Sequence, residues 1–392
     1  MSKHLLFVAS PAAGHVNPLL PVMAELGARG HRVTFASGPG HLPAARAVGA
    51  RVAELPWTLD PTSLSRERFT TTSFIELLEN LLDTAAPRLD ALVADAQAGG
   101  TDVVCFDATV APIGAAIAGR LGVPAISCIP SMAINEHLPL AELLPSDFRP
   151  DNAALVRYAS RLYDFSVEQG LTTPLAPMAV QPVPLTLVFV PPAFQIAADT
   201  FDASYRFVGP TLQPGTEWQP SGDGRPLALV SLGSAFNDRP DVFRACAAAF
   251  ADTDWHVVMS IGRTTRESLG PLPGNVEAAP SVAQQAILRQ ATAFISHAGM
   301  NSIMEALACA VPLVTLPQVP EQGLNARRVK ELGLGELLDG DSLTPDNVRT
   351  AVLSVADNEQ VRERLKWMAG EIAGAGGASA AADAILAQLE RR

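Results

Sequence analysis

The chain has 392 residues, 48% of them hydrophobic and 17% charged, with a formal net charge of −12. That length exceeds one ordinary core and predicts about two domains, while the acidic balance argues against a nucleic-acid surface, whose affinity comes largely from clustered Lys and Arg. No uninterrupted apolar run reaches the roughly 18 residues of a membrane span, and Met1-Ser2-Lys3 leads into the short run His4-Leu5-Leu6-Phe7-Val8-Ala9 without a signal-peptide apolar region, so a cytoplasmic location is expected.

The first 60 residues alternate: a strand at 4–9, a helix from about 17 to 29, a strand at 32–37, a helix from about 41 to 48, and the short strand 51–55. Val103-Val104-Cys105-Phe106 and Pro124-Ala125-Ile126-Ser127-Cys128 add strands, separated by an alanine-rich helix at 111–121. Continuous apolar runs mark strands covered on both faces, so the sheet is expected to be parallel. Residues 61–100 and 131–175 read as mainly helical and carry Phe69, Phe74, Phe148, Tyr158, Tyr163 and Phe165, as core or as lining for an apolar ligand. A strand-like run at 185–190 precedes a Pro- and Gly-rich stretch between Gly209 and Gly224, the best candidate linker.

A second alternation follows: a strand at 227–232, the turn Gly233-Ser234, a helix near 240–251, a strand at 256–261, a helix near 283–290 and a strand leading into His297. The expected division is an N-terminal Rossmann-like domain over 1–210, a linker over 211–225 and a C-terminal Rossmann-like domain over 226–372. A last helix over 373–392, after the break Gly374-Ala375-Gly376-Gly377, is expected to pack back on the N-terminal domain. Such halves bind ligands at the C-terminal ends of their strands, which would face one another across a cleft. The four cysteines, Cys105, Cys128, Cys246 and Cys309, lie far apart in apolar surroundings and read as buried thiols.

The most informative run is His297-Ala298-Gly299-Met300-Asn301-Ser302-Ile303-Met304-Glu305. A buried strand ends where a helix begins, and the unpaired N–H groups of a helix start attract anions. Gly299 would let a diphosphate approach the backbone; His297, Asn301 and Ser302 add donors, and Glu305 is placed to accept from sugar hydroxyls. An ordinary turn capped by His297 and Ser302 would read the same way. His15 is equally a general base or a loop-capping histidine, Asp107 a partner for it or a helix cap. The Asp-x-Asp strings at 252–254 and 339–341 read as turns rather than metal sites.

Taken together, Gly14-His15-Val16-Asn17-Pro18, Ser231-Leu232-Gly233-Ser234 and the run from His297 to Glu305, continued by Pro312, Pro317-Gln318 and Glu321-Gln322, resemble the GT-B-fold UDP-glycosyltransferases of glycosyltransferase family 1, specifically the bacterial macrolide-type branch. The resemblance implies an α/β chain of two Rossmann-like domains with parallel sheets. It makes His15 the general base, oriented by Asp107, with the UDP diphosphate on Ser234, His297, Asn301 and Ser302 and the ribose on Glu305. Glu321 and Gln322 would hold the transferred sugar, and backbone groups of Val282 would read the base. Acceptor contacts are expected from Phe69, Phe74 and Phe148.

The implied reaction is inverting transfer of a sugar, most simply glucose from UDP-glucose, to a hydroxyl of an apolar natural product such as a macrolide, polyketide or phenol. Helix-end amides and the imidazole would carry the leaving group's charge, so neither metal nor separate cofactor is expected. One departure stands out: where the family commonly has Trp-x-Pro-Gln, this chain has Ser281-Val282-Ala283-Gln284, which leaves a TDP-deoxysugar donor open. A nucleotide-sugar epimerase and a non-enzymatic sugar-nucleotide binder are the other readings. An NAD dehydrogenase lacks its Gly-x-Gly-x-x-Gly turn at residues 10–15.

Overall fold

The computed structural model describes residues 1–59, 69–177, 182–212, 218 and 224–391. Of these, 1–59, 69–177, 182–212 and 375–391 form one compact unit and 218 with 224–374 another. Most of the expected linker lies outside the described residues.

In the first unit the elements run β1 (His4–Val8), α1 (Ala13–Val16), α2 (Leu19–Ala28), β2 (Arg32–Ser37), α3 (Leu42–Ala47), β3 (Arg51–Glu54), α4 (Thr71–Ala85), α5 (Leu89–Ala98), β4 (Val103–Asp107), α6 (Ala111–Leu121), β5 (Ala125–Ile129), α7 (Ala153–Glu168), β6 (Leu185–Val188) and β7 (Tyr205–Phe207). The seven strands form one sheet in the order β3-β2-β1-β4-β5-β6-β7, with every pairing parallel. Successive residues of a strand face opposite sides, and β1 shows why its run is apolar throughout. Leu6 and Val8 enter the core under α4, α5 and α6, whereas Leu5 and Phe7 enter the one under α2.

The second unit runs β8 (Leu227–Ser231), α8 (Pro240–Ala249), β9 (His256–Ser260), α9 (Arg266–Leu269), β10 (Val276–Ala279), α10 (Gln284–Leu288), β11 (Ala293–Ser296), α11 (Met300–Ala308), β12 (Leu313–Thr315), α12 (Pro320–Glu331), β13 (Gly335–Leu337), α13 (Pro345–Ala356) and α14 (Glu359–Ala375). Its sheet is again all parallel, in the order β10-β9-β8-β11-β12-β13. Both sheets reverse direction of winding beside their first strand, the doubly wound pattern. The chain then returns to the first unit as α15 (Gly377–Glu390).

There α15 buries Ala381, Ala382, Ile385 and Leu389 in the core under α2, and Arg29 of α2 pairs with Asp383. This bears on one difference from the sequence reading. The helical stretch Glu359–Glu390 is, by length and composition alone, apolar enough to cross a membrane, but it breaks at Gly376 and its second half has a protein partner.

Candidate active site

On the first sheet, β1 and β4 are neighbours in register Val8↔Phe106, so the residues just past β1 meet the end of β4. Ser10 and Asp107 thereby come side by side, and α1 carries His15 back over them. The run Gly14-His15-Val16 is a short helix rather than an open turn. Asp107 is 1% exposed and accepts from His15 Nδ1 at 2.9 Å, from the Ser10 hydroxyl at 2.6 Å and from the backbone N–H groups of Ser10 and Thr109, each at 3.2 Å. Burial alone would raise its carboxyl pKa; the His15 imidazole, the Ser10 hydroxyl and the Thr109 N–H outweigh that and hold it below the ordinary value. A carboxylate bound to Nδ1–H places the neutral ring's lone pair on Nε2, and the His15 side chain is 31% exposed.

In the second unit β8, β11 and β12 lie side by side, with Ser231, Ser296 and Thr315 in one register row. The loops leaving those three strands therefore share one edge of the sheet. The loop after β8 turns at Gly233, whose φ of +75° is left-handed. A Cβ there would stand 2.5 Å from His297 Nε2, and one on Gly299 would stand 2.3 Å from the same atom. The imidazole is thus wedged between two glycines. Burial pushes its pKa down to about 4, the nearby Ser231 backbone offsetting only part of that, so the ring is neutral at pH 7. Its Nδ1 is sealed from solvent with no hydrogen-bond partner among the described residues.

Gly299 is the N-cap of α11, so the first N–H groups of that helix open beside His297. Ser302 and the half-buried Asn301 lie in its first turn, and Ser302 accepts from Gln284 Nε2 at 3.2 Å. One turn on, Glu305 accepts at one oxygen from Gln284 Nε2 at 2.7 Å and at the other from Gln285 Nε2 at 2.9 Å. Burial raises its carboxyl pKa while the two amides pull it down, and the net shift is upward. Ser234 is exposed on the β8 loop and Val282 half-buried before α10.

Glu321 occupies the first turn of α12 and accepts from Asn325 Nδ2 at 2.8 Å. The same Asn325 amide donates to the Ala298 carbonyl at 3.1 Å, tying α12 to the His297 loop. Gln322 is buried and its carbonyl oxygen accepts from the Gln318 N–H at 2.9 Å, which leaves its amide N–H groups and one oxygen lone pair for a ligand. This narrows what the sequence pattern allowed for that side chain. Asn237 Nδ2 donates to the Gly233 carbonyl at 2.6 Å and fixes the β8 loop.

Sequence reasoning assigned no role to Ser10, Thr109, Asn237, Gln284, Gln285, Gln318 or Asn325. Only Asn325 carried a signal, its i+4 spacing from Glu321 on one helix face. Of the aromatic residues, Tyr158 and Phe165 are core, Phe74 packs against that core and meets Phe69 edge-on at 6.0 Å, Phe148 is half-buried and Tyr163 is exposed. Asp339 of one Asp-x-Asp string accepts from the Asp341 N–H and the Ser342 hydroxyl of its own turn.

Two doubly wound units of this kind, one ending in a helix start beside a buried neutral histidine and the other in a carboxylate-backed histidine, define a GT-B glycosyltransferase. Residues 244–385 match the erythromycin biosynthesis protein CIII-like C-terminal domain. The chain is 37% identical to the demethyllactenocin mycarosyltransferase of Streptomyces fradiae over 97% of its own length and 86% of that protein's. It is also 37% identical to the NDP-glycosyltransferase YjiC of Bacillus subtilis, over 99% and 98%. The solved calicheamicin glycosyltransferase CalG4 superposes with a TM-score of 0.85 at 37% identity, covering 100% of this chain and 99% of that one. The chain belongs to the macrolide- and antibiotic-type glycosyltransferases of family 1.

Proposed function

We propose that this glycosyltransferase works in the cytoplasm and moves glucose from UDP-glucose, with inversion, to a hydroxyl of an apolar natural product such as a macrolide, polyketide or phenol. The observation that carries the reading is the His15 Nδ1 to Asp107 Oδ1 bond of 2.9 Å, which leaves Nε2 of a partly exposed ring as the basic atom. Nε2 takes the acceptor hydroxyl's proton while that oxygen bonds to the anomeric carbon. The carbon–oxygen bond to the diphosphate breaks on the opposite face, and the nucleoside diphosphate leaves with the electron pair. Asp107 balances the imidazolium charge, and general-base help of this kind contributes about 10²–10⁴-fold.

On the donor side the reading gives the diphosphate to Ser234, His297, Asn301, Ser302 and the N–H groups beyond Gly299, whose dipoles carry the leaving charge in place of a metal. Glu305 takes the ribose, Glu321 and the amide N–H of Gln322 take the sugar, and Val282 faces the base. Phe69, Phe74 and Phe148 line the acceptor side. A TDP-deoxysugar donor is the second reading, favoured by Ser281 standing where the family commonly has an aromatic against the base.

The test is a turnover screen of UDP- and TDP-sugars against hydroxylated aglycones, read by mass spectrometry. Glucosylated product with UDP-glucose supports the first reading, and product only with TDP-deoxysugars replaces it by the second. Conversion of a donor sugar with no acceptor present would instead make the protein an epimerase.

A further inference from the structure

The carboxylate that would receive the ribose hydroxyls is already served by protein donors. Glu305 accepts from Gln284 at 2.7 Å on one oxygen and from Gln285 at 2.9 Å on the other. A carboxylate has about four lone-pair positions, so each oxygen keeps one for a ligand while neither depends on it.

That arrangement bears on selectivity. A site strongly rejects an analogue lacking one hydroxyl when the missing group leaves a buried acceptor unpaired, a penalty that can reach about 10⁴–10⁵-fold. Where the acceptor stays paired, only the hydrogen bond itself is lost, which for a charged acceptor is about 10- to 150-fold in affinity.

We infer that Gln284 and Gln285 make this subsite tolerant of a missing ribose hydroxyl, so that a 2′-deoxyribonucleoside diphosphate loses no more than that one bond against its ribo counterpart and both donor classes are accepted. Gln285 is the more telling of the two. Gln284 also donates to Ser302, whereas Gln285 is half-buried on the first turn of α10 and its side-chain amide bonds Glu305. The inference rests on the ribose reading of Glu305.

Calorimetry on the full chain tests it with UDP, 2′-deoxy-UDP and TDP, on the wild type, Gln285→Leu and Gln284→Leu, with Glu305→Ala as the control for the ribose reading. The comparison of UDP with 2′-deoxy-UDP isolates the hydroxyl; 2′-deoxy-UDP against TDP isolates the base methyl. The expected wild-type ratio of dissociation constants, 2′-deoxy-UDP over UDP, is below about 150-fold. Either leucine substitution should widen it at least about threefold, because one Glu305 oxygen then relies on the nucleotide. A wild-type ratio above about 150-fold, or one that neither substitution widens about threefold, overturns the inference. If UDP binds normally to Glu305→Ala, the ribose reading itself has failed; if no nucleoside diphosphate binds the wild type, the proposed donor class has failed. A merely structural role for the glutamines would shift both affinities together and leave the ratio fixed.

Discussion

The two glycines around His297 make Gly299→Ala an informative substitution. Gly299 has φ −65° and ψ 139°, a conformation alanine adopts freely, so the backbone is not strained. The new methyl would lie 2.3 Å from His297 Nε2 and 2.9 Å from Cε1. Carbon contacts settle near 3.5 Å or beyond, so the ring must retreat by about 1 Å or more. The ring is the free end of a side chain and can turn, and the remaining stability cost is the poorer N-cap, about 1 kcal/mol. Binding should suffer more. Losing one hydrogen bond to a charged phosphate costs about 1.5–3 kcal/mol, which is about 10- to 150-fold in the dissociation constant of UDP. Calorimetric titration alongside a thermal melt separates the two effects. A melting temperature within several degrees of wild type together with a UDP dissociation constant within twofold would refute the wedge as a binding device. Gly233→Ala should bind as poorly and be less stable, because its φ of +75° adds a left-handed penalty of about 1–2 kcal/mol.

His15→Ala should cut transfer by about 10²-fold or more while leaving UDP affinity within twofold; unchanged turnover would remove His15 from the mechanism. Asp107→Asn should lower turnover similarly, since the amide can hold the wrong tautomer of His15, and a wild-type rate at pH 8 would show that the carboxylate is not needed. Glu305→Ala should weaken UDP binding about tenfold, with an unaltered dissociation constant counting against the ribose role. His297 and His4 both have pKa values lowered by burial, His297 to about 4. The unfolded chain therefore binds more protons below pH about 6.5, and stability is full above that value and is lost as the pH falls toward about 4. With a folded pKa of about 4 against about 6.5 unfolded, the His297 share lost by pH 4.5 is on the order of 2 kcal/mol. Urea unfolding at pH 7 and pH 4.5 measures the loss, and a His297→Gln variant with the same pH slope would assign it elsewhere.

The strands that carry the site were legible because each is a continuous apolar run ended by a turn residue. Val103–Asp107 and Ala293–Ser296 are buried on both faces, and nothing but a central parallel strand needs such a run. The short strands at 205–207, 276–279, 313–315 and 335–337 were not separable. Three or four residues are too few to establish a period, and Gly335 looks like a breaker although it sits where a Cβ would stand 2.0 Å from the Leu313 carbonyl oxygen. The helix α12 was hidden for a different reason: it begins at Pro320 with polar residues, and its buried face includes Gln322 and Asn325. An apolar-period search passes over a helix whose inward face is partly amide.

Those amides also explain how an acidic chain can build the proposed anion site. Asn237 fixes the Gly233 carbonyl, Asn325 joins Ala298 to Glu321, the Gln322 side-chain oxygen holds the Gln318 N–H, and Gln284 and Gln285 hold Glu305. Each is neutral and can donate and accept at once, so each can fix a loop or a carboxylate without adding a charge that burial would penalise. The neutral His297 fits the same pattern. What remains to meet an anion is a set of oriented dipoles, the helix-start N–H groups and the hydroxyls, which need no reorganisation as charge develops. Such a frame leaves no local trace in the sequence, because an amide acquires its role only when the sheet register brings a partner from a distant segment: Gln284 and Glu305 are 21 positions apart, and Asn325 and Ala298 are 27.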